Sequence, residues 1–403
     1  METLAILLVA ALTAIFLLSP RVAVFPTWRA AVTPLASIIG SGFLVLAPIL
    51  VAEYGRHAPF VMAGLCIVAY LFGAAIRFNI LARSTGVSAE DVATERLEIA
   101  ASWALVFAFM ISVAYYLNLF GAFGVSLTSF NTPLNAKLLT TAIYAVILVV
   151  GWTRGFKALE RMEYATVALK LSIIAGLIVG LGFYFYAQAS GPGLLFRPAH
   201  LSGWPALTLA FGLIITVQGF ETSRYLGGEY DAKTRAGSMR FAQIVATLIY
   251  MTYIGLFAYS FDKTEFQLSE TAIIDMMVLV APILPILLVV AALSAQFSAA
   301  VADTSGSGGL LSELTRNRMS PRSGYALLAV FGLLLTWETD VFALIAYASR
   351  AFALYYALQS LIAARTAYLS GRSIFYQIGF VLLFVLGMSI VVFGQSVEAG
   401  GVG

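Results

Sequence analysis

Twelve long, mainly apolar stretches recur along this chain, at approximately 2–19, 31–52, 59–82, 99–127, 137–153, 162–187, 204–225, 239–261, 276–304, 323–338, 340–364 and 373–394. A bilayer core takes about 20 such residues per helix. Lipid offers no partner for backbone N–H and C=O groups, so a spanning chain must be helical or a closed barrel. The stretches are apolar nearly all round, and none shows the alternating segments of about ten residues that a barrel needs. An all-α membrane protein of about twelve transmembrane helices follows. The composition agrees: 61% of residues are apolar and 11% charged, and mean hydropathy is +0.94. Soluble domains carry about 45–50% apolar and about 25% charged residues. A soluble enzyme, a disordered chain and a nucleic-acid binder are excluded.

Lys and Arg set the orientation. Alternate connections hold Arg21 and Arg29; Arg83 and Arg96; Arg154, Lys157 and Arg161; Arg224, Lys233, Arg235 and Arg240; Arg316, Arg318 and Arg322; Arg365 and Arg372. The connections between them hold only Arg56, Lys137, Arg197 and Lys263. Sixteen against four is a positive-inside pattern. The first set is cytoplasmic, in a multi-pass protein of the cytoplasmic membrane, and both termini lie outside. A signal peptide would need a positive n-region, which Met1-Glu2-Thr3 does not supply, so the first stretch reads as a retained N-out helix. Cys66 has no second cysteine to pair with, and His57 and His200 sit in short polar connections. No metal site or cofactor is implied. The H-E-x-x-H pattern of an intramembrane metalloprotease and the phosphate-binding loop of a primary pump are both absent from the sequence.

Function must therefore reside in what interrupts the hydrophobicity. The second stretch contains Ser37-Ile38-Ile39-Gly40-Ser41-Gly42-Phe43, with Pro48 beyond. Gly-Ser-Gly at mid-depth weakens a helix and frees backbone groups, which are tolerated there only if they line a cavity or are buried in protein. Close packing through small residues is the other reading. The seventh stretch has a comparable interruption, Val217-Gln218-Gly219-Phe220-Glu221. The two are five helices apart and so cross in opposite senses. Paired interruptions in two inverted halves point to a midplane binding site.

Buried charge is the second exception. Lys170 lies in the sixth stretch, Asp303 toward the cytoplasmic end of the ninth, and Arg350 in the middle of the eleventh. Each costs about 2.5–3.5 kcal/mol or more at the bilayer centre and needs a partner. A desolvated lysine can carry a proton; a fixed ion pair with Asp303 is the alternative for Lys170. Arg350 reads as a structural or gating ion pair. The ninth stretch also carries Ser294, Gln296, Ser298 and the run Asp303-Thr304-Ser305-Gly306-Ser307-Gly308-Gly309. Its hydroxyls could ligate a cation or satisfy a neighbour, or the run could be a frayed helix end. Tyr115, Tyr116 and Asn118 of the fourth stretch face either the same cavity or the packed interior.

These segments resemble the amino acid–polyamine–organocation (APC) transporter superfamily. Ser37–Phe43 is similar to its I-I-G-S-G-I-F signature, and Gly219-Phe220-Glu221 to its G-F-E signature. Gly228-Glu229-Tyr230 with Thr234-Arg235 resembles the cytoplasmic stretch after it. Leu314–Pro321 loosely resembles the A-R-D-G-x-x-P loop, with Arg318 in place of the glycine and Gly308 where an arginine is usual. The resemblance implies the LeuT-like fold: two inverted five-helix repeats, over 30–190 and 191–368, with discontinuous first and sixth core helices. An additional N-terminal helix with its linker (1–29) and a C-terminal helix with its tail (369–403) lie outside the repeats. It implies alternating-access transport of an amino acid or related amine. Gly40, Ser41 and Gly42 would hold the substrate carboxylate and Gln218, Gly219 and Phe220 would complete the pocket; Ile39, Phe43, Tyr115 and Asn118 are further candidate substrate-binding residues. Glu221, Asp303, Ser307 and Arg350 would serve coupling or gating, and Lys170 would take the place of a sodium ion, giving proton coupling. The implied partners are a small-molecule substrate, protons and the bilayer. Another solute on the same fold, or a membrane sensor, is the alternative.

Overall fold

The computed structural model describes residues 2–40, 42–84, 91–153, 163–228, 230–261 and 267–397. The expectations placed on Ser41, Arg154, Lys157, Arg161, Glu229 and Lys263 lie outside the described residues. Every described element is helical, and eight helices are long and apolar enough to cross a membrane. Each of the twelve expected spans coincides with helical structure. The second is split into Pro26–Ile38 and Gly42–Tyr54. The seventh is split into Gly203–Gly212 and 3-10 turns at Ile214–Val217 and Phe220–Gly228.

Helix starts follow from short polar side chains that accept orphan N–H groups. Asp91 accepts from Thr94 N at the head of the fourth span, Asp231 from Thr234 N at the eighth, and Asp340 from Ala343 N at the eleventh. The cap at Asp91 lets the fourth span begin at Val92, seven residues before the apolar run at 99, so its first turns are polar and still helical. The ninth span also differs from expectation. The segment 276–304 is not one helix: Ala272–Val280 ends at an extended Ala281, and a new helix runs Leu284–Leu314. Pro282 and Pro285 bring no N–H to continue the first piece. The Ser/Gly run 305–309 stays helical, so it is not a frayed end. Gly308 and Gly324 let the ninth and tenth spans approach with little side chain between them. Asp303 therefore sits mid-helix rather than near a terminus.

The spans pack in two groups. The second, third, seventh and eighth lie against one another, as do the fourth, fifth, ninth and tenth. The sixth lies against the first and ninth, and the eleventh against the fourth, third and twelfth. Buried polar side chains fasten neighbours within this apolar frame. Asn118 donates to Thr336 Oγ1 at 2.8 Å, Thr140 to Leu117 O at 2.8 Å, and Asn79 to Gln359 O at 2.8 Å. Arg77, an arginine inside the third span, bonds Gln243 of the eighth and lies 4.7 Å over the Tyr70 ring.

At the head of the fourth span, Arg365 clasps Asp91 with Nε–Oδ2 at 2.5 Å and Nη2–Oδ1 at 2.7 Å. The Arg365 bond, aided by Thr94, holds the Asp91 carboxyl well below the usual carboxylate range. A depressed folded value adds stability above the unfolded value of about 4 and loses it as pH falls toward the folded one. Asp91→Ala should lower the thermal midpoint in detergent at pH 7, and the gap to the parent should narrow below about pH 4. A gap that is constant with pH would show that the carboxylate charge is not involved.

Candidate functional site

The two helix breaks cross each other at the centre of the bundle. A Cβ on Gly42 would lie 2.7 Å from Thr216 Cα, and one on Gly219 would lie 2.6 Å from Ser37 Cβ. Each break thus has its glycine pressed against the other strand of backbone. Gly219 also has φ +116°, a conformation that a side chain disfavours. Small residues are needed here for close approach and for an open backbone at once, so the two readings of Gly-x-Gly converge.

Opening a helix in lipid frees carbonyls, and each unsatisfied group costs several kcal/mol. Side chains from neighbouring spans take them up. Tyr250 Oη of the eighth span lies 3.0 Å from Ile38 O and 2.6 Å from Thr216 O, one hydroxyl serving both breaks. Lys170 Nζ of the sixth span donates to Ala36 O at 2.6 Å. Ser349 Oγ of the eleventh donates to Gly212 O at 2.6 Å and accepts from Ile215 N at 3.0 Å. Sixth and eleventh spans therefore make equivalent contacts, each on the last turn before a break.

Around the crossing lies a buried polar and aromatic cluster. Gly219 N and Tyr356 Oη both donate to Glu221 Oε2, at 3.0 and 2.8 Å. Gln218 Nε2 donates to Tyr116 Oη at 3.1 Å, and its Oε1 lies 3.4 Å from Tyr356 Oη, whose proton goes to Glu221. Phe43 stacks on Tyr253 with ring centres 4.3 Å apart, and Phe220 on Tyr356 at 5.1 Å. Ile39 and Tyr115 are buried against this cluster, Tyr115 with its ring 5.4 Å from that of Tyr116. Asp303 accepts from Ser112 Oγ of the fourth span.

A cavity of about 900 Å³ leads to Asp303 from the side carrying the Arg-rich connections. Arg29 and Thr33 of the inner half of the second span, Phe109, Tyr164, Asp303 and Glu313 line it. The cavity opens on the face that carries Arg29 and Glu313. The half-helix Gly203–Gly212 leads into the second break from the end opposite Thr222 and Tyr225, which line the cavity.

The structure brings Ile39, Gly40, Gly42, Phe43, Tyr115, Gln218, Gly219, Phe220 and Glu221 to the crossing, with Lys170 and Asp303 on its cytoplasmic flank. Asn118 instead turns to Thr336 of the tenth span. Arg350 donates from Nε to Gly394 O at 2.8 Å, at the end of the twelfth helix and away from the crossing. Its partner is a backbone carbonyl in place of the expected carboxylate. Ser307 is fully buried, and its hydroxyl has no hydrogen-bond partner among the described residues. Tyr250, Ser349, Tyr356 and Ser112 were not among the sequence candidates. Ser349 had only its neighbour Arg350 to draw attention to it, and Tyr250 lies in an unremarkable apolar run. Arg77, a charge inside the third span, is a further exception that the sequence displays.

A family model described as an APC superfamily transporter matches residues 20–394. The chain belongs to the APC superfamily of transporters. An uncharacterized protein of Aquifex aeolicus (strain VF5) is 41% identical over 393 residues, covering 95% of both chains. The family match takes in both breaks and every residue of the cluster, and this multi-pass membrane protein is a transporter.

If Tyr250 satisfies both breaks, Tyr250→Phe should cost about 1–3 kcal/mol, the penalty for a buried group left unpaired. Tyr144 is an internal control, because its buried hydroxyl has no hydrogen-bond partner among the described residues. Thermal unfolding in detergent should show a clear fall for Tyr250→Phe and none for Tyr144→Phe. Equal effects would remove Tyr250 from this role.

Proposed function

We propose that this APC transporter moves an amino acid or a related amine across the cytoplasmic membrane by alternating access, driven by protons and independent of sodium. The observation that carries the reading is the crossing of two opposed helix breaks at the head of a cavity open on one side. The packing groups support two inverted repeats: second, third, fourth, fifth and sixth spans correspond to seventh, eighth, ninth, tenth and eleventh, and each group of four contains two spans from each half.

In this reading, the helix restarting at Gly42 turns its N–H groups and positive dipole end toward the substrate carboxylate. The carbonyl ends of the half-helices Pro26–Ile38 and Gly203–Gly212 favour an ammonium group. Phe43, Phe220 and Tyr115 enclose the apolar part. Substrate passes between the crossing and the cytoplasm along the wall that carries Asp303.

Coupling resides in Lys170. As an ammonium it makes a charge-assisted bond to Ala36 O and holds the inner half of the second span. Loss of its proton weakens that bond and frees the half-helix. Asp303 and Glu221 are the other buried ionisable groups of the pathway, and a proton passing from the cavity meets Asp303 first.

Uptake of a labelled amino-acid and amine panel into proteoliposomes, with and without an inward proton gradient, tests this. At least one member should accumulate with the gradient, unchanged when sodium is removed. Lys170→Ala should abolish accumulation and leave equilibrium binding within about threefold, which is under 1 kcal/mol. Accumulation by Lys170→Ala equal to the parent's would make Lys170 a structural charge, and gradient-independent uptake would remove proton coupling altogether.

A further inference from the structure

The half-helix Gly203–Gly212 leads into the crossing from the side opposite the cavity, and residues 394–397 lie against it. Gln395 N donates to Thr208 O at 2.9 Å, and Thr208 Oγ1 lies 3.0 Å from Gln395 Oε1. Gly212 faces Gln395 with no room for a Cβ, and a Cβ on Gly394 would lie 3.4 Å from Gly212 N. The segment is anchored in turn: Arg350 Nε holds Gly394 O at 2.8 Å, and Val397 is buried. Arg350 and Ser349, adjacent on the eleventh span, thus grip the same assembly, one through Gly394 and the other through Gly212 O.

On its other flank the half-helix borders an apolar crevice. An apolar cavity of about 570 Å³ separates it from the third span, lined by Ala206, Ala210 and Phe211 on one side and Leu65 and Val68 on the other. Tyr54 Oη, donating to Ala206 O at 2.6 Å, crosses at the outer end. This short helix is tied by Ser349, Tyr54 and Gln395, and Gln395 supplies two of those bonds.

We infer that residues 394–397 are an outer latch: bound to Thr208 and Gly212, with Arg350 as its positioning residue, they hold the outer half of the seventh span shut while the cytoplasmic cavity is open, and the outward-open state requires their release. This rests on the alternating-access reading above. The inner half of the second span has its own holder in the Lys170–Ala36 bond, so each gate is tied by a different group. Weakening the latch alone then shifts the balance toward the outward-open form.

Hydrogen exchange followed by mass spectrometry on the full chain in nanodiscs needs no substrate and reads both gates at once. Two variants are compared with the parent: a chain ending at Phe393, and Arg350→Met, which keeps bulk and removes the bond to Gly394 O. In both, exchange across 203–217 should rise by about tenfold, the factor by which losing one ordinary hydrogen bond shifts an opening equilibrium. Exchange across the inner half-helix 26–38 should fall in the same samples. Unchanged exchange at 203–217 in both variants would overturn the latch and leave transport untouched. A rise at 203–217 with no fall at 26–38 would overturn it differently, showing two ends that do not communicate and counting against alternating access itself. A rise in both segments would reveal general loosening and would also refute the latch.

Discussion

Everything in this protein depends on how backbone carbonyls are satisfied where two helices break inside a membrane. An intact helix closes its own hydrogen bonds and can face lipid. A broken one cannot, and each group left open costs several kcal/mol. Here the break between the helices ending at Ile38 and starting at Gly42 and the break at 213–219 are placed against each other, glycine to backbone, so that neither faces lipid. The carbonyls they release are met by Tyr250, Lys170 and Ser349, drawn from three different spans. The surrounding helices are positioned so that those side chains arrive at the right depth. The price of the breaks is a demanding second ring of polar residues, and the return is a set of directed backbone dipoles at mid-membrane.

The same arrangement explains why the site works at an interface rather than within one rigid body. Second and seventh spans belong to a packed group with the third and eighth, whereas Ser112 and Asp303 belong to the fourth and ninth. The cavity runs between these groups. Lys170 and Ser349 stand on the sixth and eleventh spans and reach the broken helices from outside their group. A change in either bond alters how its half-helix sits.

Much of this could be read in the sequence, and the reason is that lipid makes exceptions visible. A glycine pair in an apolar run, a lysine at 170 and an aspartate at 303 each break a rule that water would have left unenforced. The spans were legible for the same reason. Their ends were less so: Asp91 extends the fourth span into polar residues, and Pro282 and Pro285 cut the ninth in two. Tyr250 and Ser349 were not legible at all. A tyrosine or a serine in a spanning helix is ordinary, and its importance depends on which freed carbonyl lies opposite it, a fact of tertiary structure. Asn118 and Arg350 show the converse, polar residues that stood out by composition and found their partners in Thr336 and Gly394, away from the crossing.

The central claim is that the two broken helices are opposed gates on one site. Paired spin labels on a Cys66→Ser background measure this directly. One pair at Arg29 and Glu313 spans the rim of the cytoplasmic cavity, and a second at Trp204 and Phe130 spans the outer face; all four side chains are exposed. On adding a transported substrate, the account predicts that distances in the first pair shorten as those in the second lengthen. Distances that change together, or an outer pair that never moves while substrate is transported, would contradict it.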